Sequence, residues 1–385
     1  MRNTLKYIIV ILLYLFSRVR RLFRGQRVCS FYGSRYLVVS LSGIGNAIMC
    51  TPLVDALKKK RGASIDVLTR GTAQEIVFTR IGMCDTIYLY PDTFVRRLTL
   101  IGQLRKKRYD VLILTFPTPE ISYALLPVGI NPRTAITHAY HIYHQYFKCL
   151  IHLSDRIVDV DESVHDIEQN LNLAGISEKD FRFRHYPTVT LSESANSAAE
   201  NFFSENGLEK ARVCLMHPGC KRGADYKRWP LEHFIELGIK LLKHNVKIIV
   251  IFGPDEYEYR DQVASKGFII FESTDFEFVL AVLNKASMLI SNDSGIMHAA
   301  SFLRVPTVTL WGGTDSNRNG ARGNFALDLV NKDVHCRPCV RFVPHIHCPR
   351  SPYECVRKIS VDQVYKKILQ SRLLGDIATN MERVI

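Results

Sequence analysis

Short β-rich runs alternate with helix-length stretches twice along this chain, and that alternation restricts its fold more than any other feature. Residues 36–41, 65–69, 86–90 and 111–116 form the first set of runs. Residues 212–217, 246–252, 267–271, 288–291 and 307–311 form the second. Strands separated by helices cannot be joined by hairpins, so they pair in parallel and place their crossover helices on the sheet faces. The unbroken apolar run at 246–252 suits a strand covered on both sides. The two sets join around 185–205, and the chain reads as two successive Rossmann-like domains. Its 385 residues, 47% of them hydrophobic, can bury sizeable cores without covalent staples. Residues 117–190, with scattered Pro, His and Tyr, follow the pattern least.

Three places carry chemistry. Gly43-Ile44-Gly45-Asn46 sits between the first strand and a helix expected at 47–59. Glycines there let a backbone approach a ligand, and a helix start favours anions. Position 48 is Ile, so the dinucleotide fingerprint is incomplete, and no acid evidently follows the second strand; both weaken a dehydrogenase reading. A plain strand-to-helix turn is the competing reading. Next, His217-Pro218-Gly219 ends a strand, and Lys221, Arg222, Lys227 and Arg228 lead to Trp229-Pro230 at a helix start. Cations beside a helix start suit a diphosphate; a solvated basic loop is the alternative. Finally, Ser291-Asn292-Asp293-Ser294-Gly295 with His298 lies at a strand's C-terminal edge, where open α/β sheets bind ligands. Asp293, Ser294 and His298 suit hydrogen bonds to sugar or phosphate. An N-cap and a core histidine would explain the same residues.

Together these stretches resemble glycosyltransferase family 9, whose best-known members are ADP-heptose:lipopolysaccharide heptosyltransferases. Similar stretches run in the family's order from about 36 to 320. They include Gly43 through Pro52, His217-Pro218-Gly219 with Lys227-Arg228-Trp229-Pro230, and Gly253-Pro254-Asp255-Glu256. Ser291 through Gly295 with His298-Ala299-Ala300, Val305 through Val308, and Gly312-Gly313-Thr314-Asp315 complete them. The resemblance implies a GT-B fold, two Rossmann-like domains facing a central cleft. Residues 28–190 would bind the acceptor and 191–385 the nucleotide sugar. It implies inverting transfer of a heptose or related sugar from an ADP-sugar to a lipid-linked oligosaccharide, with no cofactor for catalysis. Lys227 resembles the lysine on the donor phosphates. Asp293, Ser294 and Gly295 resemble the donor loop, with His217 and His298 nearby, and Glu256 resembles an acid near the ribose. Gly43 and Gly45 would shape the acceptor or phosphate loop.

Asn46 departs from the family, which usually carries an Asp base there. An amide cannot usefully take a proton at neutral pH. Glu120, His138 or His217 would have to serve as base, or water or the leaving phosphate would take the proton. Otherwise the protein is a catalytically silent sugar-binding or assembly protein.

Charge and cysteines set the surroundings. The formal net charge is +14, and the basic residues of segment 1–27, with no acid among them, account for half of it. The apolar run 7–16 inside that tail is too short to span a bilayer, and the arginines after it do not resemble a cleavage site. A helix lying on anionic lipid fits, and with the resemblance it implies a peripheral protein at the cytoplasmic face of a bacterial inner membrane. A nucleic-acid partner is not expected, because no recognition motif accompanies the charge. Of ten cysteines, Cys336, Cys339, Cys348 and Cys355 cluster late, interspersed with His335, His345 and His347. A C-x2-C pair plus two thiols offers a structural zinc or iron site; a disulfide or free thiols are the alternatives. Such a metal would brace the loop before a last helix at 361–374.

Overall fold

The computed structural model describes residues 15, 19, 34–115, 121–139, 151–177, 186–323, 326–340, 348, 353–371 and 373. The basic tail 1–27, apart from residues 15 and 19, and the acid Glu120 therefore lie outside the described residues. The chain divides into two compact units at 183/184. Each holds one six-stranded, wholly parallel sheet.

In the first unit the strands are β1 (Arg35–Ser40), β2 (Ser64–Thr69), β3 (Thr86–Leu89), β4 (Val111–Leu114), β5 (Thr134–Ala139) and β6 (Arg156–Asp159). Their spatial order is β3-β2-β1-β4-β5-β6. Helices α1 (Ile44–Arg61), α2 (Thr72–Arg80), α3 (Phe94–Lys106) and α4 (Asp166–Leu173) cover the faces. Central strands are apolar and buried: Leu37, Val39, Leu112 and Leu114 share one core with Leu100 and Leu104 of α3. Pro52 interrupts the α1 ladder because it has no N–H for the Ile48 carbonyl. The Thr51 hydroxyl donates to that carbonyl instead, at 2.8 Å, so a buried acceptor keeps a partner.

The second unit repeats the plan with β7 (Arg212–His217), β8 (Val246–Phe252), β9 (Ile269–Glu272), β10 (Met288–Asn292), β11 (Thr307–Trp311) and β12 (Ala326–Val330), ordered β12-β11-β10-β7-β8-β9. Counted from its own first strand, that is the order of the first sheet. Its helices are α5 (Glu193–Glu205), α6 (Leu231–Leu242), α7 (Phe276–Asn284), α8 (Gly295–Phe302) and α9 (Val361–Gln370). Val361, Val364 and Ile368 of α9 are buried in the core that holds Phe234, Leu237 and Leu241 of α6. Full burial of an aliphatic side chain contributes roughly 1.5–3 kcal/mol, so packing holds α9 more than its capping box, worth about 1 kcal/mol. That box joins the Ser360 and Gln363 side chains to each other's backbone N–H.

The α/β fold with two Rossmann-like halves agrees with the sequence expectation. Several details differ. The stretch around 193–205 is not a linker: α5 forms there, opened by Ser192, whose hydroxyl accepts from Ala195 N at 3.2 Å. The helix that carries His298 begins at Gly295 because Ser294 caps it, accepting from Met297 N at 3.4 Å. The last helix ends at Gln370. Strands β5, β6 and β12 add to those read from sequence. Among the described residues no helix is long and apolar enough to cross a membrane.

Candidate functional site

In the first unit, β1 runs through a short turn into α1. Gly43 is the N-cap, with extended backbone and no side-chain cap, and the first turn has no acid while the last carries Lys58, Lys59, Lys60 and Arg61. The unsatisfied N–H groups at that end give it a partial positive charge. A Cβ on Gly43 would meet nothing within 4 Å, so the approach to this turn is open. Asn46 lies half-buried in the first turn of α1. Of the other bases named from sequence, His138 is fully buried within β5.

The second unit gathers more. β10 lies between β11 and β7, with Ser291 level with His217, so the loops leaving both strands start side by side. Asn292, fully buried, joins the two ends of the 218–229 loop. Its Oδ1 accepts from Trp229 N at 2.9 Å and its Nδ2 donates to the Pro218 carbonyl at 2.7 Å. The Trp229 indole N–H donates to the Ile359 carbonyl at 2.8 Å. A loop rich in Lys and Arg is therefore fixed at its base rather than simply solvated.

Within that loop, Lys227 Nζ stands 2.6 Å from Asp293 Oδ2. The same oxygen accepts from the Thr314 hydroxyl at 2.7 Å. Burial by itself would lower the Lys227 pKa, but the Asp293 carboxylate outweighs it and leaves the pKa above the ordinary lysine value. The ammonium is thus charged across the neutral range. Arg228 reaches toward Glu256, Nη2 to Oε1 at 3.7 Å, and Glu256 accepts from Gly253 N at 3.0 Å. A cavity of about 860 Å³ opens beside the loop, its lining including Arg222, Arg228, Glu256 and Tyr259.

Two buried histidines flank this edge. His217 Nδ1 is 3.1 Å from the Ile251 carbonyl, and burial lowers its pKa to about 4. Burial also lowers His298 to about 4, against the opposing Asp293 carboxylate. Its Nδ1 has no hydrogen-bond partner among the described residues. Both imidazoles are neutral at pH 7.

Sequence reasoning named Lys227, Asp293, Ser294, Gly295, His298, His217 and Glu256, and all lie at this edge of the second sheet. It gave no role to Asn292, Thr314 or Arg337. Gly312-Gly313-Thr314-Asp315 resembles a family stretch, but no spacing signals that its threonine reaches back to Asp293.

Cys336, Cys339, Cys348 and Cys355 line one small cavity with Arg337, Tyr226 and Gly313. All four are free thiols, not disulfides. Burial raises the pKa of Cys339 and Cys355, and neighbouring cysteines add to the rise. The thiols share a wall, yet among the described residues no three His, Cys, Asp or Glu side chains are grouped so as to hold a metal ion.

Residues 97–347 match the sequence profile of glycosyltransferase family 9 (heptosyltransferase). The chain belongs to glycosyltransferase family 9. Lipooligosaccharide heptosyltransferase 2 of Campylobacter jejuni is 22% identical over 164 residues, 41% of this chain and 50% of that protein. Lipopolysaccharide heptosyltransferase 1 of Escherichia coli K12 is 32% identical over 102 residues, 26% of this chain and 32% of that protein. The match thus spans half or less of these curated relatives. Over the fold the likeness is broader. The E. coli ADP-heptose LPS heptosyltransferase II structure superposes with a TM-score of 0.68 at 19% identity, covering 90% of this chain and 99% of that one. A family 9 glycosyltransferase from Veillonella parvula gives 0.71 at 18%, covering 90% and 98%. The dodecameric iron-containing heptosyltransferase TibC of E. coli gives 0.51 at 13%, covering 90% and 77%. This family 9 member therefore has the GT-B class of fold, with two parallel six-stranded sheets.

Proposed function

We propose that this family 9 chain is an inverting glycosyltransferase. It would move a heptose, or a related sugar, from an ADP-sugar to a lipopolysaccharide core or related lipid-linked glycan. Residues 191–385 would hold the donor and 28–190 the acceptor. The tail 1–27 would rest on anionic lipid at the cytoplasmic face of a bacterial inner membrane, where such acceptors present themselves. Nucleic acid is not among the partners we propose.

One observation carries this reading: a charged lysine, Lys227, is held against Asp293 and belongs to the same loop whose Arg222, Asp225 and Arg228 line a cavity of about 860 Å³. In the transfer, an acceptor hydroxyl oxygen bonds to the anomeric carbon while the bond from that carbon to the β-phosphate oxygen breaks. The electron pair leaves with ADP, and the acceptor proton passes to a base. Charge grows on the phosphate oxygen in the transition state, where a preorganised cation acts most strongly. Lys227 is that cation, and Asp293, Ser294 and Gly295 at the start of α8 contribute donor contacts. Glu256 and His298 complete the donor surround.

A specific residue, Asn46, supports a second reading. Asn46 occupies the first turn of α1, and an amide there orients an acceptor but does not deprotonate it. His217, neutral with Nε2 unprotonated, is a weak base at a pKa of about 4. A catalytically silent binding protein on the same fold would account for Asn46.

Calorimetric titration with ADP-heptose, other ADP-sugars and UDP-sugars tests the donor assignment, with Lys227→Ala as control. Micromolar binding of one donor, weakened in the variant, supports the transferase. Binding without turnover of any lipid-linked acceptor supports the silent reading, and no donor binding removes both. For the cysteine set we propose a structural role outside the chemistry. Thiols are the ligands that suit zinc or iron, and metal analysis of purified protein distinguishes a bound ion from free thiols.

A further inference from the structure

We propose that Arg337 is a positioning residue for Lys227, acting through the loop 312–314; this deepens the donor role proposed above and rests on it. The arginine comes from the cysteine-bearing segment, which the transfer chemistry does not otherwise use. Its Nε donates to the Gly312 carbonyl at 2.8 Å and its Nη2 to the Thr314 carbonyl at 3.0 Å. The guanidinium thus spans both ends of a three-residue loop. The Gly313 carbonyl accepts from Cys339 N and Val340 N, both at 2.9 Å. The loop is fastened to the 337–340 segment at every residue.

The fastened loop meets the lysine by two routes. Gly313 N donates to the carbonyl of Tyr226, the residue before Lys227, at 3.2 Å. A Cβ on Gly312 would fall 1.8 Å from that same carbonyl oxygen, so only glycine allows the approach. The second route runs through side chains. Thr314 Oγ1 donates to Asp293 Oδ2 at 2.7 Å, the oxygen that meets Lys227 Nζ at 2.6 Å. Orienting the Thr314 carbonyl therefore aims its hydroxyl, and the hydroxyl fixes the carboxylate that places the ammonium. A planar fork grips two carbonyls at once, which a lysine on a flexible stem cannot do.

The test combines Arg337→Gln, Arg337→Lys, Thr314→Val and Thr314→Ser, read in two ways. One is ADP-sugar affinity by calorimetry. The other needs no donor: trace acylation with acetic anhydride, with Lys227 labelling measured by mass spectrometry against exposed Lys266 of the same molecule. We expect Arg337→Gln and Thr314→Val each to raise Lys227 labelling at least threefold and to weaken donor binding about tenfold. The double variant should be no worse than the poorer single. Thr314→Ser should restore both readouts, and Arg337→Lys should fall between. A merely structural role would lower Tm in both variants while leaving Lys227 labelling, relative to Lys266, where it was. Unchanged labelling in Thr314→Val and Arg337→Gln overturns the proposal, as does a double variant whose effects multiply. If a wild-type chain bound no nucleotide sugar but the variants unmasked Lys227, the donor reading would fall and the positioning would stand. If Arg337→Gln failed to fold, the Thr314→Val and Thr314→Ser pair would decide.

Discussion

His217 points Nδ1 at the carbonyl oxygen of Ile251, 3.1 Å away on the neighbouring strand. A carbonyl only accepts, so the proton sits on Nδ1, and burial keeps the ring neutral down to a pKa of about 4. His298 is held neutral in the same way. Unfolded histidine titrates near 6.5, so between about pH 6.5 and 4 the unfolded chain binds more protons than the folded one. Stability contributed by the two rings is complete above pH 6.5 and is lost as pH falls toward 4. The loss should be on the order of 3 kcal/mol per ring. Urea unfolding from pH 7.5 to 4.5 measures it, and replacing His298 by Gln should flatten the curve.

Loss of one partner of the Lys227–Asp293 pair leaves the other partly buried and uncompensated. Asp293→Asn should destabilise the second unit by about 1–3 kcal/mol, less than for a fully buried pair because Lys227 is about one-fifth exposed. Lys227→Ala strands the more buried Asp293 carboxylate, so it should destabilise by a similar amount and also weaken donor binding by tenfold or more. Denaturant midpoints and calorimetry on the same preparations separate the two effects.

If proton removal limits transfer, Asn46→Asp should raise the turnover number about tenfold, equal to ~1.4 kcal/mol of barrier. An unchanged rate at saturating acceptor would place the base elsewhere.

Gly312 should lose more on substitution by alanine than Gly43. At Gly312 the new methyl would lie 1.8 Å from the Tyr226 carbonyl oxygen, which predicts a loss of about 1–3 kcal/mol. At Gly43 the methyl meets no protein atom within 4 Å and φ is −67°, so the cost should be only that of alanine at an N-cap, about 0.5–1 kcal/mol. A fall in activity out of proportion to that small fall in Tm for Gly43→Ala would show that a ligand backs onto that turn.

Trp229→Phe keeps most of the buried ring but strands the Ile359 carbonyl, which the indole N–H now satisfies. A loss of about 1–3 kcal/mol should appear in thermal unfolding.

Much of this architecture is legible from residues alone. The unbroken apolar run of β8 and the β-branched run of β1 announce buried parallel strands. β5 does not: Thr134-Ala135-Ile136-Thr137-His138-Ala139 is small and polar in composition, yet buried along its length. β6 and β12 escape notice because edge strands keep polar or half-exposed residues. In the site, Lys227 and Asp293 are visible as members of motifs. Their contact is not, because 66 residues and a strand register separate them. Arg337 is harder still: it reads as one cation among cysteines until its fork is seen to span two carbonyls.

The two sheets share one strand order, and neither takes a strand from beyond 183/184. Every strand of the first sheet has therefore left the ribosome before β7 is translated. Synthesis runs at roughly 5–20 residues per second, and domains generally fold as units during it. The first half thus has several seconds to settle without competing partners from the second. A parallel sheet is slow to assemble because its pairings are distant in sequence, and this order of emergence keeps the exposed edges of one half from meeting those of the other.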